Sequence, residues 1–134
     1  MSHKILVIDD EPDVIKYLVS VLSDNGYDVI FATNGENGFQ MAKEESPDLI
    51  CLDIMMPRQS GMSIYRQIRE DSITKNIPVI ILTGIEKSDS FNFREWVGDT
   101  KIPPPEQFLE KPIQVEGFLK SVAGTISAKK AETQ

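Results

Sequence analysis

A set of short aliphatic runs, apolar at nearly every position and too brief for helices, most constrains how this chain can fold. Ile5-Leu6-Val7-Ile8 is rich in β-branched residues and reads as a strand buried on both faces, which suits a parallel sheet. Leu49-Ile50-Cys51-Leu52, closing at Asp53, and Pro78-Val79-Ile80-Ile81-Leu82-Thr83 have the same character. Tyr27 to Ala32 and a short Gln107 to Glu110, with Phe108 and Leu109, bring the expected strands to five.

Helical periodicity fills the gaps. Asp10-Glu11-Pro12-Asp13 opens a helix, because proline is tolerated in a first turn and acidic residues there suit the helix dipole. Val14, Ile15, Tyr17, Leu18, Val21 and Leu22 then mark one apolar face, and Asn25-Gly26 closes it. Gly35 to Glu45 is a weaker helix carrying Phe39, Met41 and Ala42, broken by Ser46-Pro47. A Pro-Gly loop from Pro57 to Gly61 precedes a third helix with Met62, Ile64, Tyr65 and Ile68. Ile113, Val115, Phe118, Leu119, Val122 and Ile126 line a last one. Strands alternating with helices make βαβ units with right-handed crossovers. The expected fold is α/β, a three-layer αβα sandwich around a five-stranded parallel sheet.

One stretch breaks the pattern. Between Gly84 and Glu106 the chain is polar and irregular, with room for a short helix at Phe91, Phe93, Trp96 and Val97. Pro103-Pro104-Pro105 cannot continue a helix and favours an extended polyproline segment. The 134 residues fit one domain, expected over 1–126, with Ser127 to Gln134 a frayed polar tail or the start of a linker. A formal net charge of -7 without a basic stripe argues against nucleic-acid binding by this domain. No apolar run approaches the roughly 20 residues that span a bilayer, and Met1-Ser2-His3-Lys4 leads straight into a strand. These features set an expectation of a cytoplasmic protein with no membrane partner. Cys51, the only cysteine, sits inside an apolar run and reads as a buried thiol.

The chemistry gathers where strands stop. In an open parallel sheet, ligands bind along the edge formed by the carboxyl ends of the strands. Asp9-Asp10, Asp53, Thr83 and Lys111 each follow or close such a run. One of the adjacent aspartates could cap the following helix, but a single cap does not use both. Like charges about 4 Å apart repel by roughly 4 kcal/mol at an effective dielectric of 20, so three gathered carboxylates call for a cation. Oxygen donors suit Mg2+, whereas no histidine or cysteine is placed for zinc. Lys111 adds a compact cation and Thr83 a hydroxyl, and Pro112 restricts the backbone beside Lys111, a candidate site for a cis bond. Such a set supports attack by a carboxylate on phosphorus, leaving an aspartyl phosphate on the protein itself. There is no Ser-His-Asp arrangement and no Walker loop.

Four segments together resemble the receiver domain of bacterial two-component response regulators. They are Ile5-Leu6-Val7-Ile8-Asp9-Asp10-Glu11-Pro12, Asp53-Ile54-Met55-Met56-Pro57 with Gly61, Pro78 through Gly84, and Phe108-Leu109-Glu110-Lys111-Pro112. The resemblance covers residues 4 to 126 and implies a flavodoxin-like sheet order 2-1-3-4-5. It implies Asp53 as phosphoacceptor, Asp10 as a direct Mg2+ ligand, Asp9 acting mostly through water, and the Met55 carbonyl as a further ligand. It implies phosphoryl contacts from Thr83, Gly84 and Lys111, with Thr83 the switch hydroxyl and Phe108 the coupled aromatic. The donor would be a sensor histidine kinase or phosphotransfer protein, and the output a changed surface read by a downstream protein. The protein would then be a phosphoacceptor that assists its own phosphorylation and dephosphorylation, and not an enzyme.

The chain departs from the receiver pattern between Gly84 and Glu106, which is longer and proline-interrupted. That puts the usual dimer through this surface in question. Met55 and Ile85, two residues after Asp53 and Thr83, are apolar and cannot orient an attacking water, which predicts slow loss of phosphate. A haloacid-dehalogenase-type phosphatase would use a similar group set, but its nucleophile lies in an Asp-x-Asp pair on the first strand. A flavodoxin-like carrier would need a hydroxyl- or glycine-rich loop where this chain has Asp-Asp-Glu-Pro. A degenerate scaffold receiver is the remaining alternative, ranked lower because the site residues are all present. The output would run through a partner, or through a domain cut away near Ser127.

Overall fold

A computed structural model of the chain describes residues 3–54, 61–84 and 102–133, with only the backbone course at 61, 62, 132 and 133. In chain order the elements are β1 (Lys4–Ile8), α1 (Pro12–Asp24), β2 (Asp28–Ala32), α2 (Gly35–Glu45) and β3 (Leu49–Asp53). Then follow α3 (Gly61–Glu70), β4 (Val79–Thr83), β5 (Gln107–Glu110) and α4 (Val115–Thr133). The strands form one sheet in the order β2-β1-β3-β4-β5, and every pairing is parallel. The expected architecture and order are therefore observed.

Strand alternation builds two cores, one on each face of the sheet. Ile5, Val7, Leu49, Cys51, Ile80 and Leu82 point to the face covered by α1 and α4, where Leu18, Leu22, Phe118 and Val122 meet them. Leu6, Ile8, Ile50, Leu52, Val79 and Ile81 point to the face covered by α2 and α3. This is why β1, β3 and β4 read as continuous aliphatic runs: both of their faces are inside. The helices are closed as the sequence indicates. Pro12 sits at the start of α1, Gly26 follows its end at φ +88, and the Asn34 side chain accepts the Asn37 N–H at 2.8 Å to cap α2.

Three local readings change. Helix α4 runs on to Thr133, so residues 127–133 are helical and not a frayed tail. Ser127-Ala128-Lys129-Lys130-Ala131 lacks an apolar stripe but is rich in good helix formers, and a helix already anchored by its packed turns propagates through them. Ile113 lies before α4, not within it. Tyr17, read as part of the apolar face of α1, is 41% exposed and donates its hydroxyl to the Ile113 carbonyl at 3.2 Å.

In the irregular stretch, Gly84 and residues 102–106 are described. Ile102 is only 5% exposed and joins the core under α3, while Tyr65 donates its hydroxyl to the Pro103 carbonyl at 2.6 Å. Residues 102–106 form no helix, as the prolines require. Met55, Met56, Pro57, Ile85 and the expected short helix at Phe91, Phe93, Trp96 and Val97 lie outside the described residues. Among the described residues, no helix is long and apolar enough to cross a membrane.

Candidate functional site

The two core faces also place the site. Asp9, Asp53 and Lys111 each stand two residues beyond a core residue of the α1 face, namely Val7, Cys51 and Leu109. A two-residue period carries all three side chains to that face, just past the carboxyl ends of the strands. Strands β1 and β3 are neighbours, with Ile8 paired to Leu52, so Asp9 and Asp53 are adjacent across the edge. Asp9 is 0% and Asp53 1% exposed. Lys111, held by its backbone N–H to the Thr83 carbonyl at 2.8 Å, reaches from the β5 end across the edge. Its Nζ lies 3.1 Å from Asp9 Oδ2, 3.3 Å from Glu11 Oε1 and 3.6 Å from Asp53 Oδ2. The Lys111–Pro112 peptide is cis.

Burial alone would push the Lys111 ammonium down, because it disfavours the charged form. The carboxylates of Asp9 and Asp53, with hydrogen bonds to Asp9 and Glu11, outweigh that effect and hold the pKa above the usual lysine value. The ammonium is thus fixed as a cation between two buried anions. Cys51, one strand position before Leu52, is the opposite case: complete burial pushes its thiol up to about 12, so it is neutral and no nucleophile near pH 7.

Asp9, Asp10, Glu11 and Asp53 present carboxylate oxygens that all lie within 4.8 Å of one another. The set is all oxygen, two of its members are buried, and it fits a hard divalent cation such as Mg2+ better than a soft metal. Asp10 is partly buried at the mouth of the cluster. Neither aspartate is the N-cap of α1. That position is Glu11, and its backbone N–H donates to Asp9 Oδ1 at 2.9 Å.

Thr83 closes β4 and is 2% exposed, and Gly84 follows it at the surface of the same edge. Thr83 shares a sheet face with Ile81, and Ile81 is paired with Phe108 on β5. Thr83 and Phe108 therefore lie on one face, the α3 side, with Phe108 half-buried against that core. The structure brings Asp9, Asp10, Asp53, Thr83, Gly84 and Lys111 to one edge, and the Met55 carbonyl falls outside the described residues. The residue that sequence reasoning missed is Glu11. The sequence places it in the helix start and in the receiver-like segment without a role at the site, although the acidic run Asp9-Asp10-Glu11 signals that a third carboxylate is close.

This geometry agrees with the comparisons to known proteins. The model of the response regulator receiver domain matches residues 5–123, and the chain belongs to that family. It is similar to Protein PilH of Pseudomonas aeruginosa, 33% identical over 124 residues, which cover 92% of this chain and 98% of PilH. Other curated relatives are longer, and the chain spans half their length or less. A response regulator receiver domain protein from Clostridium thermocellum superposes with a TM-score of 0.79 at 30% identity, covering 96% of this chain and 98% of that one. The receiver domain of the sensor histidine kinase PA1611 from Pseudomonas aeruginosa, 23% identical, shares the fold with a TM-score of 0.79 over 95% of this chain and 99% of that one. That structure holds a magnesium ion in its active site cleft. The class is thus a receiver domain of two-component signalling, whose members accept a phosphoryl group. Nothing favours the dehalogenase-type or flavodoxin-like readings.

Proposed function

We propose that this receiver is phosphorylated on Asp53 and signals by the resulting change of surface. The observation that carries the proposal is the buried Asp9–Asp53 pair at one sheet edge with Lys111 Nζ 3.1 and 3.6 Å from its two members. A protein selected only for stability would not bury two adjacent carboxylates there. Asp9 and Asp10, with the Met55 carbonyl, are the residues that would hold Mg2+ beside Asp53. The bound cation would neutralise the carboxylates and the transferring oxygens. Lys111, already a cation, would move from Asp9 and Glu11 toward the phosphoryl oxygens. Thr83 would then bond the phosphoryl group, and Phe108, on the same face, would carry the change to the α3 side. A near-complete switch from 1:99 to 99:1 needs roughly 5.5 kcal/mol of differential stabilisation. Contacts from Thr83, Lys111 and the cation, made only in the phosphorylated state, are the source of it. The donor class is a histidine kinase or a phosphotransfer protein, the reader is a downstream protein, and the modified product stays on the chain.

The test is intact-protein mass after incubation with acetyl phosphate and Mg2+, for wild type and Asp53→Asn. Uptake of one phosphoryl group by wild type alone is expected. Uptake by the Asn variant too would move the acceptor elsewhere. No uptake by either, even with a cognate kinase, would leave a scaffold receiver.

A further inference from the structure

We propose that Glu11 sets the phosphodonor preference of this receiver, by placing a carboxylate at the mouth of the site against the Lys111 ammonium. The inference rests on Asp53 being the phosphoacceptor. Glu11 is the N-cap residue of α1, yet its side chain makes no capping hydrogen bond. Only its backbone does local work: the N–H donates to Asp9 Oδ1 at 2.9 Å and the carbonyl accepts the Ile15 N–H at 3.1 Å. The side chain, 60% exposed, instead puts Oε1 3.3 Å from Lys111 Nζ, a residue far away in the chain. Asp9 and Asp53, the other two partners of Lys111, are buried. Glu11 is therefore the outward member of the three carboxylates that share one ammonium.

Two effects on an incoming donor follow. Glu11 takes part of the positive charge that would otherwise meet phosphoryl oxygens, and it adds negative charge on the solvent side of Asp53. Both oppose a donor in proportion to the donor's own negative charge. A dianionic acyl phosphate is opposed more than phosphoramidate, a zwitterion with one negative charge fewer. A phosphohistidine held by a docked protein is opposed least, because its approach is fixed by other contacts. In each case an Asp53 oxygen forms the new bond to phosphorus. The old P–O or P–N bond breaks with its electron pair leaving on acetate, ammonia or the histidine ring.

The experiment compares initial rates of Asp53 phosphorylation by acetyl phosphate and by phosphoramidate, at saturating Mg2+, in wild type, Glu11→Gln and Glu11→Asp. Glu44→Gln, an exposed carboxylate on α2, controls for general charge. Glu11→Gln should speed acetyl phosphate by about three- to tenfold and phosphoramidate by distinctly less, so that the ratio of the two rates shifts by about threefold. High salt should shrink the shift, because the group is exposed. Glu11→Asp, which keeps the charge, should stay near the wild-type ratio. An unchanged ratio in Glu11→Gln, or equal changes in both rates, overturns the proposal while leaving Asp53 as acceptor. A wild-type protein that takes phosphoryl groups from neither donor overturns the Asp53 reading itself, and this inference with it.

Discussion

At the scale of single residues, partly buried Lys111 and fully buried Cys51 both titrate above their ordinary values, for opposite reasons. Lys111 is held charged by its anionic neighbours, whereas Cys51 is held neutral by complete burial, which disfavours the thiolate. The sign of the pH dependence is the same for both. Cys51 keeps its proton in the folded state up to about 12, while in the unfolded chain it ionises near 9.0. The unfolded state therefore binds fewer protons between those values, and stability falls as pH rises through that window. The raised Lys111 pKa adds a loss at the alkaline end: its contribution is intact below the usual lysine value and disappears above the raised one. Urea midpoints measured from neutral to strongly alkaline pH should fall from about pH 9 upward. Iodoacetamide at about pH 8.5 should label Cys51 only after unfolding. Labelling of the folded protein would contradict its burial. The strand-end aspartates were legible because each closes an aliphatic run. Glu11 was not, because its partner Lys111 is a hundred residues away.

At the scale of elements, α2 shows how a weak sequence pattern makes a tight contact. Its buried positions are Gly35, Gly38 and Ala42, so it meets the sheet through small residues and not an aliphatic stripe. A Cβ at Gly38 would lie 2.5 Å from Ile8 Cδ1 and 2.7 Å from Ile8 Cγ1, and Ile8 is fully buried. Gly38→Ala gains roughly 1 kcal/mol of helix propensity. It also forces an overpacked contact, which costs typically 1–3 kcal/mol or more. The clash should win, giving a net loss of about 1–2 kcal/mol and a lower urea midpoint at unchanged slope. Trimming the partner with Ile8→Val should recover part of it. A more stable Gly38→Ala would mean that α2 can shift outward freely.

At the scale of the molecule, one buried guanidinium ties the proline-rich segment to the sheet. Arg69 donates to the Tyr65 hydroxyl at 2.9 Å, to the Lys75 and Ile77 carbonyls at 3.2 and 2.6 Å, and to Glu106 Oε1 at 2.8 Å. Glu106 Oε1 also accepts the Val79 N–H at 2.7 Å, and the Tyr65 hydroxyl is passed on to Pro103. The end of α3, the start of β4 and the approach to β5 are thereby fixed together. Arg69→Met should cost about 2–4 kcal/mol, toward the low end for a buried pair because the Glu106 side chain is 41% exposed. Native-state hydrogen exchange should show the β5 amides losing protection before those of β1 and β3. An even loss across the sheet would show that the clamp supports the whole core and not its β5 edge.

The sequence by itself determined the five strands, their alternation with helices and the edge where the aspartates and Lys111 gather. Burying both faces of a parallel strand requires an unbroken aliphatic run, and the residue that ends the run marks the edge. The strand order entered with the resemblance to receivers and not with the runs, which carry no record of their neighbours. Tertiary structure alone decided that Glu11 pairs with Lys111, that Arg69 pairs with Glu106, and that Ile102 belongs to the core. Periodicity records which face of an element is buried, but a polar side chain's partner depends on how separate elements are brought together, and no local pattern encodes that distance.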